Sequence, residues 1–150
     1  MQALSVPQPW AWTVARGYKT YLNCAFDTCH RGPLAIYASF RAETSHVRSQ
    51  AVREANGNSA DPAAAIGGIV AVVNLTGVCT AGRSGRPCGC GPWAFAGSYH
   101  WQVADPRPLR LPVLALGQPV LWELAPAVAA AVARMAGLPE LAGVGGTAGR

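Results

Sequence analysis

Lys19 is the side chain in this sequence best suited to chemistry, because it is the only lysine among twelve basic residues. The other eleven are arginines, so this position alone keeps a compact ammonium group on a flexible stem. Such a group binds phosphate or carbonyl oxygens, stabilises a developing oxyanion, or acts as a base in a low-dielectric site. A second explanation stays open, since codon bias toward Ala, Gly, Pro and Arg depletes lysine without any functional reason.

Aromatic side chains provide the second set of candidates. Flat rings offer surfaces on which nucleobases stack, although in a small domain they more often pack in the core or at its rim. The candidates are Trp10, Trp12, Trp93, Tyr99, His100 and Trp101. His100 is interpreted as a hydrogen-bonded strand histidine rather than as a base.

Five cysteines raise the question of a metal site; they are Cys24, Cys29, Cys79, Cys88 and Cys90. An odd number argues against a complete disulfide framework. A zinc site from Cys24, Cys29 and His30 with Cys88 and Cys90 has poor spacing, because the first cysteine pair is too wide and the second too tight. The sequence therefore predicts no metal, and free thiols in loops, with Cys79 in or beside the core.

Other catalytic signatures are missing from the sequence. It contains no serine-nucleophile motif, HExxH, P-loop or GxGxxG. Its seven carboxylates include no pair at an obvious catalytic spacing. This scarcity argues against a demanding hydrolytic mechanism, and no cofactor is predicted.

Composition limits the class of protein. With 150 residues, 51% of them hydrophobic, the chain suits one folded domain, predicted over residues 1–137, followed by a flexible Gly-rich tail over 138–150. The net charge of +5 favours a phosphate-bearing partner. No apolar run reaches the ~18 residues of a membrane span. With no secretory pattern at the start, a cytoplasmic protein without membrane contact is predicted.

Several elements must position these residues. Residues 3–6 read as a short edge strand ended by Pro7, and a helix follows from Pro9 to about Arg16. Strands are predicted at 20–23 and 33–39, and a second helix from residue 44 or 45 to about Ala55.

The second half of the chain is predicted to contain mostly strands, followed by one helix. Ile66–Leu75 is the strongest strand and, being apolar on both faces, should be central. A loop at 80–92 precedes a strand at 99–104, a turn at 105–108, strands at 112–116 and 119–124, and a helix at 126–135. The pattern predicts an α+β fold: a small mixed or antiparallel barrel of five to six strands with about three flanking helices.

Motifs spread over residues 3–124 resemble the ASCH domain family, whose name means activating signal cointegrator homology. They comprise Ser5–Ala11 (SVPQPWA), Gly17–Thr20 (GYKT), Arg31–Ser39 (RGPLAIYAS), Gly68–Leu75 (GIVAVVNL), Trp93, Tyr99–Leu109 and Leu121–Trp122. Each is weak alone, but their order and spacing are specific.

The resemblance implies a PUA-like barrel with a cleft for RNA, DNA or a modified nucleoside. It implies that Gln8, Trp10, Lys19 and Ser39 face this cleft, with Ser5 and Arg31 nearby. Lys19 would meet a phosphate or carbonyl oxygen and Trp10 would stack on a base. Asn74 can read a base edge, as Gln8 can, and Tyr99 joins the predicted binding residues.

The chain departs from the family pattern at several positions, which include Cys29, where a basic residue is common, and Tyr37, where His is frequent. Pro7 replaces an arginine, Leu22 and Cys24 replace the Glu and Arg beyond the lysine, and Asn74 stands where a relative often has an acid. Some family members hydrolyse acetylated cytidine with a lysine, a hydroxyl residue and a glutamate. Only Lys19 of that set is convincingly present, because Thr20 should point to the opposite face.

Three hypotheses follow. The first is a module that binds RNA, single-stranded nucleic acid or a nucleotide-like ligand around Lys19, with DNA as a further ligand. The second is a hydrolase of nucleic acid or an acylated nucleoside, with Lys19 as its catalytic residue. The third is a protein-interaction domain whose cleft has decayed. No particular protein partner is predicted.

Overall fold

A computed structural model describes residues 1–42 and 67–142. Six strands lie in these ranges: β1 (Gln2–Gln8), β2 (Tyr21–Cys24), β3 (Gly32–Ala42), β4 (Gly68–Cys79), β5 (Tyr99–Leu114) and β6 (Leu121–Glu123). Three helices accompany them: α1 (Trp10–Ala15), α2 (Pro126–Met135) and α3 (Pro139–Ala142). The predicted α+β class and strand number are confirmed.

All six strands form one mixed sheet in the order β2-β5-β4-β3-β1-β6. Only β1 and β3 run parallel, and every other neighbouring pair is antiparallel. Within the described residues β2 and β6 are the two edges, so the sheet is not closed into a full barrel.

Two apolar cores lie on opposite faces of this sheet. The first joins α1 to the sheet and includes Leu4 of β1 and Leu22 of β2, strands that are far apart in the hydrogen-bonded order. The sheet must therefore curl around this core. The second core packs α2 against the other face and includes Trp122 and Val132.

Two local predictions were wrong. β1 is not an edge strand, because β6 pairs with its first residues, Gln2–Leu4, on the side away from β3. The predicted turn at 105–108 does not end a strand, since β5 continues through it. Asp105 adopts φ 50°, and register shifts against β4 accommodate the irregularity within one long bent strand.

The remaining predictions concern the central strand, the helix after residue 44, the C-terminal tail and membrane spans. β4 is central, between β5 and β3, as its apolar run indicates. The predicted helix from residue 44 or 45 to Ala55 lies outside the described residues. Within the predicted tail the structure has the short helix α3. No helix in the described ranges has the length and apolar character to cross a membrane.

Candidate ligand site around Lys19

The turn between α1 and β2 fixes the position of Lys19. The Oε1 of Gln8, which is buried, accepts the Trp12 backbone N–H at 3.0 Å and so satisfies a donor in the first turn of α1. After α1, Gly17 adopts φ 76°, and the Thr13 carbonyl accepts the backbone N–H groups of Tyr18 and Lys19. This tight return directs Lys19 back toward the first core rather than into solvent.

The Lys19 ammonium is enclosed by aromatic rings and is only 4% exposed. Its Nζ lies 4.9 Å from the ring centroid of Trp10, 5.7 Å from that of Trp93 and 5.9 Å from that of Phe95. We call these three rings the aromatic cage. Nζ also donates to the Trp93 backbone carbonyl at 2.8 Å. Cation–π attraction and this charge-assisted bond compensate the ammonium for the water it has lost.

Asn23 fastens the segment that covers the cage. Its Nδ2 donates to the same Trp93 carbonyl at 2.8 Å, and its Oδ1 accepts the Phe95 backbone N–H at 2.8 Å. Both partners belong to residues 80–98, which join β4 to β5 without a strand or helix and which we call the covering loop. One amide side chain on β2 therefore clamps this loop beside Lys19.

A cavity of about 220 Å³ opens beside the cage. It is lined by Tyr18, Lys19, Thr20, Tyr21, Cys90, Gly91, Pro92 and Trp93. Tyr18 is 53% exposed and packs against Trp12 at an interplanar angle of 42°, with ring centroids 5.5 Å apart. Burial, together with the neighbouring Cys90, raises the pKa of the Tyr21 hydroxyl, which keeps it a neutral hydrogen-bonding group.

Leu22 and Cys24 give Lys19 no acid–base partner at physiological pH. Leu22 and Cys24 are both buried in the first core. Burial raises the pKa of the Cys24 thiol to about 12, and the nearby Lys19 charge opposes this shift only in part. Cys24 is therefore a neutral, apolar neighbour of the ammonium at physiological pH. Thr20 is exposed.

The structure brings three of the predicted site residues together and disperses others. Gln8, Trp10 and Lys19 meet through α1 and the aromatic cage. Ser5 donates to the Gln118 carbonyl at 2.6 Å and accepts from the Trp122 indole, on the side of the second core. Ser39 pairs with Pro7, and strand alternation places it on the face of Ala35 and Tyr37, also in the second core.

Three other predicted site residues lie away from Lys19 and from one another: Asn74, Arg31 and Tyr99. Asn74 lines a small cavity with Asp105 and Arg107, and by strand alternation it shares the face of Val72 in the second core, opposite Lys19. Arg31 donates to the carbonyls of Thr28 and His30 in its own loop. Tyr99 packs at the margin of the first core, with the Arg83 guanidinium 6.0 Å from its ring centroid.

Four metal-binding side chains converge at the base of the covering loop. The cluster consists of Cys79, Cys88, Cys90 and His100. Their ligand atoms all lie within 4.8 Å of one another. The zinc set considered from spacing paired Cys88 and Cys90 with other residues, but Cys24 is buried in the first core and the His30 ring bonds to the Pro33 carbonyl.

A larger cavity, of about 530 Å³, lies away from Lys19. Its walls come mainly from the start of β1, the end of β6 and the helices α2 and α3. It is mostly apolar, and Glu123 at its rim is occupied by the amino group of Met1 and by Gln2. Because the aromatic and cationic groups meet elsewhere, size alone does not make this cavity the candidate site.

Sequence reasoning missed Asn23 and Phe95. Asn is unfavourable in strands, so its place in the predicted strand 20–23 was a usable sign that its amide has a specific partner. Phe95 carried no comparable sign, because its position depends on the path of the covering loop.

Comparisons with known proteins agree with this fold. No family model and no curated protein matches the sequence. Among solved structures, the chain is similar to ASCH from Zymomonas mobilis with a TM-score of 0.50 and 14% identity, over 85% of this chain and 89% of that one. Two variants of that protein align at a TM-score of 0.49, with 14% and 15% identity, over 83% of this chain and 87% and 89% of theirs. The chain has an ASCH-like fold, as the resemblance of its motifs predicted.

Proposed function

We propose that this ASCH-like chain is a binding module for single-stranded RNA or a nucleotide-like ligand, with the cavity beside Lys19 as its site. The observation that supports this most strongly is the combination in one place of a positive charge with the rings of Tyr18, Tyr21 and Trp93. Stacking surfaces joined to a cation match the two chemical features of a nucleotide, its flat base and its phosphate.

The volume of the cavity beside Lys19 favours binding of a small part of a nucleic acid. Sites for drug-sized ligands usually occupy ~300–1,000 Å³, so a cavity of about 220 Å³ suits one base or one phosphate group. The remainder of an oligonucleotide would lie outside, where Arg83 and Arg86 of the covering loop are exposed. An overall charge of +5 supports such binding through sequence-independent attraction.

Lys19 contributes in two ways in this proposal. It supplies a positive charge at the cavity wall, and its bond to the Trp93 carbonyl positions one of the stacking rings. The hydrolase hypothesis requires a proton donor or acceptor beside Lys19. Leu22 has no such group, and Cys24, with a pKa of about 12, is neither a base nor an effective acid at physiological pH. The geometry therefore favours binding over hydrolysis.

Fluorescence anisotropy with labelled single-stranded RNA and DNA, titrated at several salt concentrations, tests the proposal. Tyr18→Ala removes an exposed stacking ring and should weaken binding roughly 5- to 150-fold, equivalent to about 1–3 kcal/mol for one stacked base. Tyr18→Phe should retain most of the affinity. Phe40→Ala removes an aromatic ring that is 74% exposed and does not line the cavity, so it is the matched control.

Two results would contradict the proposal. One is the absence of salt-dependent binding to every RNA and DNA tested. The other is equal affinity of the Tyr18→Ala and Phe40→Ala variants, which would move any binding away from this cavity. Unaltered binding by a folded Lys19→Met variant would remove Lys19 from the binding site.

A further inference from the structure

We propose that the Cys–His cluster is a structural zinc site that fixes the covering loop over Lys19. Two of its ligands, Cys79 and His100, are directly opposite each other on the adjacent strands β4 and β5. The other two, Cys88 and Cys90, come from the covering loop. The sheet thus provides a rigid half of the site and the loop provides the half that needs anchoring.

The distances suit a tetrahedral ion. Zinc–sulfur bonds of ~2.3 Å place neighbouring sulfurs of a tetrahedral site about 3.8 Å apart. All four ligand atoms already lie within 4.8 Å of one another, and Cys88 Sγ is 3.3 Å from His100 Nδ1. Only small side-chain adjustments are needed to close the shell around one ion.

The histidine is oriented for coordination by a second hydrogen bond. Its Nε2 lies 2.8 Å from the Phe95 carbonyl, which can only accept, so Nε2 carries the proton. Nδ1 then presents its lone pair to Cys88 Sγ and the other thiols. A ring nitrogen bonded to a backbone carbonyl while the other faces the metal is the usual arrangement of zinc-binding histidines.

The residue at position 82 leaves room for the histidine of the cluster. Gly82 has no side chain, and a Cβ at this position would lie 2.2 Å from His100 Cε1. A glycine here therefore allows the ring to lie beside the three thiols.

The ligand set favours zinc in a structural role. Three thiolates and a neutral imidazole are soft and borderline donors that match tetrahedral zinc, and four protein ligands leave no open position for a substrate. Residues 80–98 form a long connection without strands or helices, a kind of segment that often needs an external constraint. Zinc would hold the covering loop at Cys90, which precedes Trp93, and would bind His100, which follows Phe95.

Metal content of the purified full-length chain tests this site directly. Elemental analysis after expression with added zinc should give one Zn²⁺ per chain, and Co²⁺ exchange should produce the strong visible bands of a tetrahedral thiolate site. Cys88→Ser and His100→Ala should lose stoichiometric metal. Cys29→Ser is the matched control, because Cys29 is exposed and outside the cluster.

A second variant changes the surroundings of the histidine rather than a ligand. Gly82→Ala keeps all four ligands but crowds the His100 ring, so zinc affinity should fall by roughly 10- to 100-fold, as for other changes behind the first ligand shell. Removing zinc with a chelator should also raise the solvent exposure of Trp93, measured as a red shift in tryptophan emission. Cys29→Ser should show the same shift as the parent chain.

The site is overturned if the reduced, folded chain binds no zinc, or if mass spectrometry finds a disulfide within the cluster in protein prepared with reductant. Equal zinc content in Cys88→Ser and Cys29→Ser would also overturn it. Metal content is measured without any nucleic acid. Failure of RNA binding and failure of the zinc site are therefore separate results.

Discussion

Replacing Asn23 with alanine should release the covering loop while the sheet stays folded. The change removes two hydrogen bonds, one to the Trp93 carbonyl and one from the Phe95 N–H, each 2.8 Å long. At about 0.5–1.5 kcal/mol for each bond, the loop should lose about 1–3 kcal/mol of local stability. Its opening constant should therefore rise roughly 5- to 150-fold.

Lys19 makes this prediction sharper, because it shares an acceptor with Asn23. In Asn23→Ala the Trp93 carbonyl still accepts from Lys19 Nζ, and in Lys19→Met it still accepts from Asn23 Nδ2. The double variant removes both donors. The double variant should therefore lower the free energy of loop opening by more than the two single variants added together, with an excess on the order of 1 kcal/mol.

Native-state hydrogen exchange of the amides in residues 91–98 measures the opening, and circular dichroism in urea reports on the whole domain. Thr76→Ala is the control, since Thr76 donates to the Gln102 carbonyl between β4 and β5, outside the loop. Unchanged exchange in Asn23→Ala, or strict additivity with Lys19→Met, would refute the shared-acceptor reasoning.

Three further predictions concern other parts of the chain. Because burial raises the pKa of Cys24 to about 12 from 9.0, its folded form holds a proton that its unfolded form releases. The contribution of this proton to the free energy of unfolding should be fully present below about pH 9 and should be lost as the pH rises toward 12. The urea midpoint should therefore fall less steeply over this pH range in Cys24→Ala than in Cys29→Ser. Gln8→Leu should lower the free energy of unfolding by about 0.5–1.5 kcal/mol in urea titrations, since the Trp12 N–H loses its acceptor, and an unchanged midpoint would rule out a stabilising role for this hydrogen bond. Arg86→Gln should reduce the salt slope of RNA binding by about 0.7, whereas Arg134→Gln on α2 should leave the slope unchanged; equal slopes in both would remove the covering loop from the RNA path.

The elements of the fold were predictable where local chemistry alone decides them. The apolar run of β4 placed that strand in the centre, and Pro9 and Gly17 marked the limits of α1. The continuity of β5 was not predictable, because Asp105 and the neighbouring prolines read as a turn. Pairing with β4 across register shifts holds the chain extended there, and such long-range pairing leaves no sign in a short sequence window.

In the candidate site, too, local sequence predicted some features, and long-range strand pairing determined the others. Motif order was enough to bring Gln8, Trp10 and Lys19 together, since α1 and one turn connect them. The Cys–His cluster was missed because His100 is on a strand and Cys79 lies across from it in register, a relation that spacing along the chain does not contain. Asn74 was predicted with Lys19, but strand alternation places it on the opposite face of the sheet.

The enclosure of Lys19 has a consequence for covalent modification. This chain offers acylating reagents a single ε-amine, and that amine lies under the rings of the aromatic cage at 4% exposure. An amine must be accessible and deprotonated to attack an anhydride or an activated ester, so acylation of Lys19 should be slow while the covering loop is closed and faster when it opens. Its acylation rate, followed by mass spectrometry as one mass increment at one residue, is therefore a built-in measure of how often the covering loop opens.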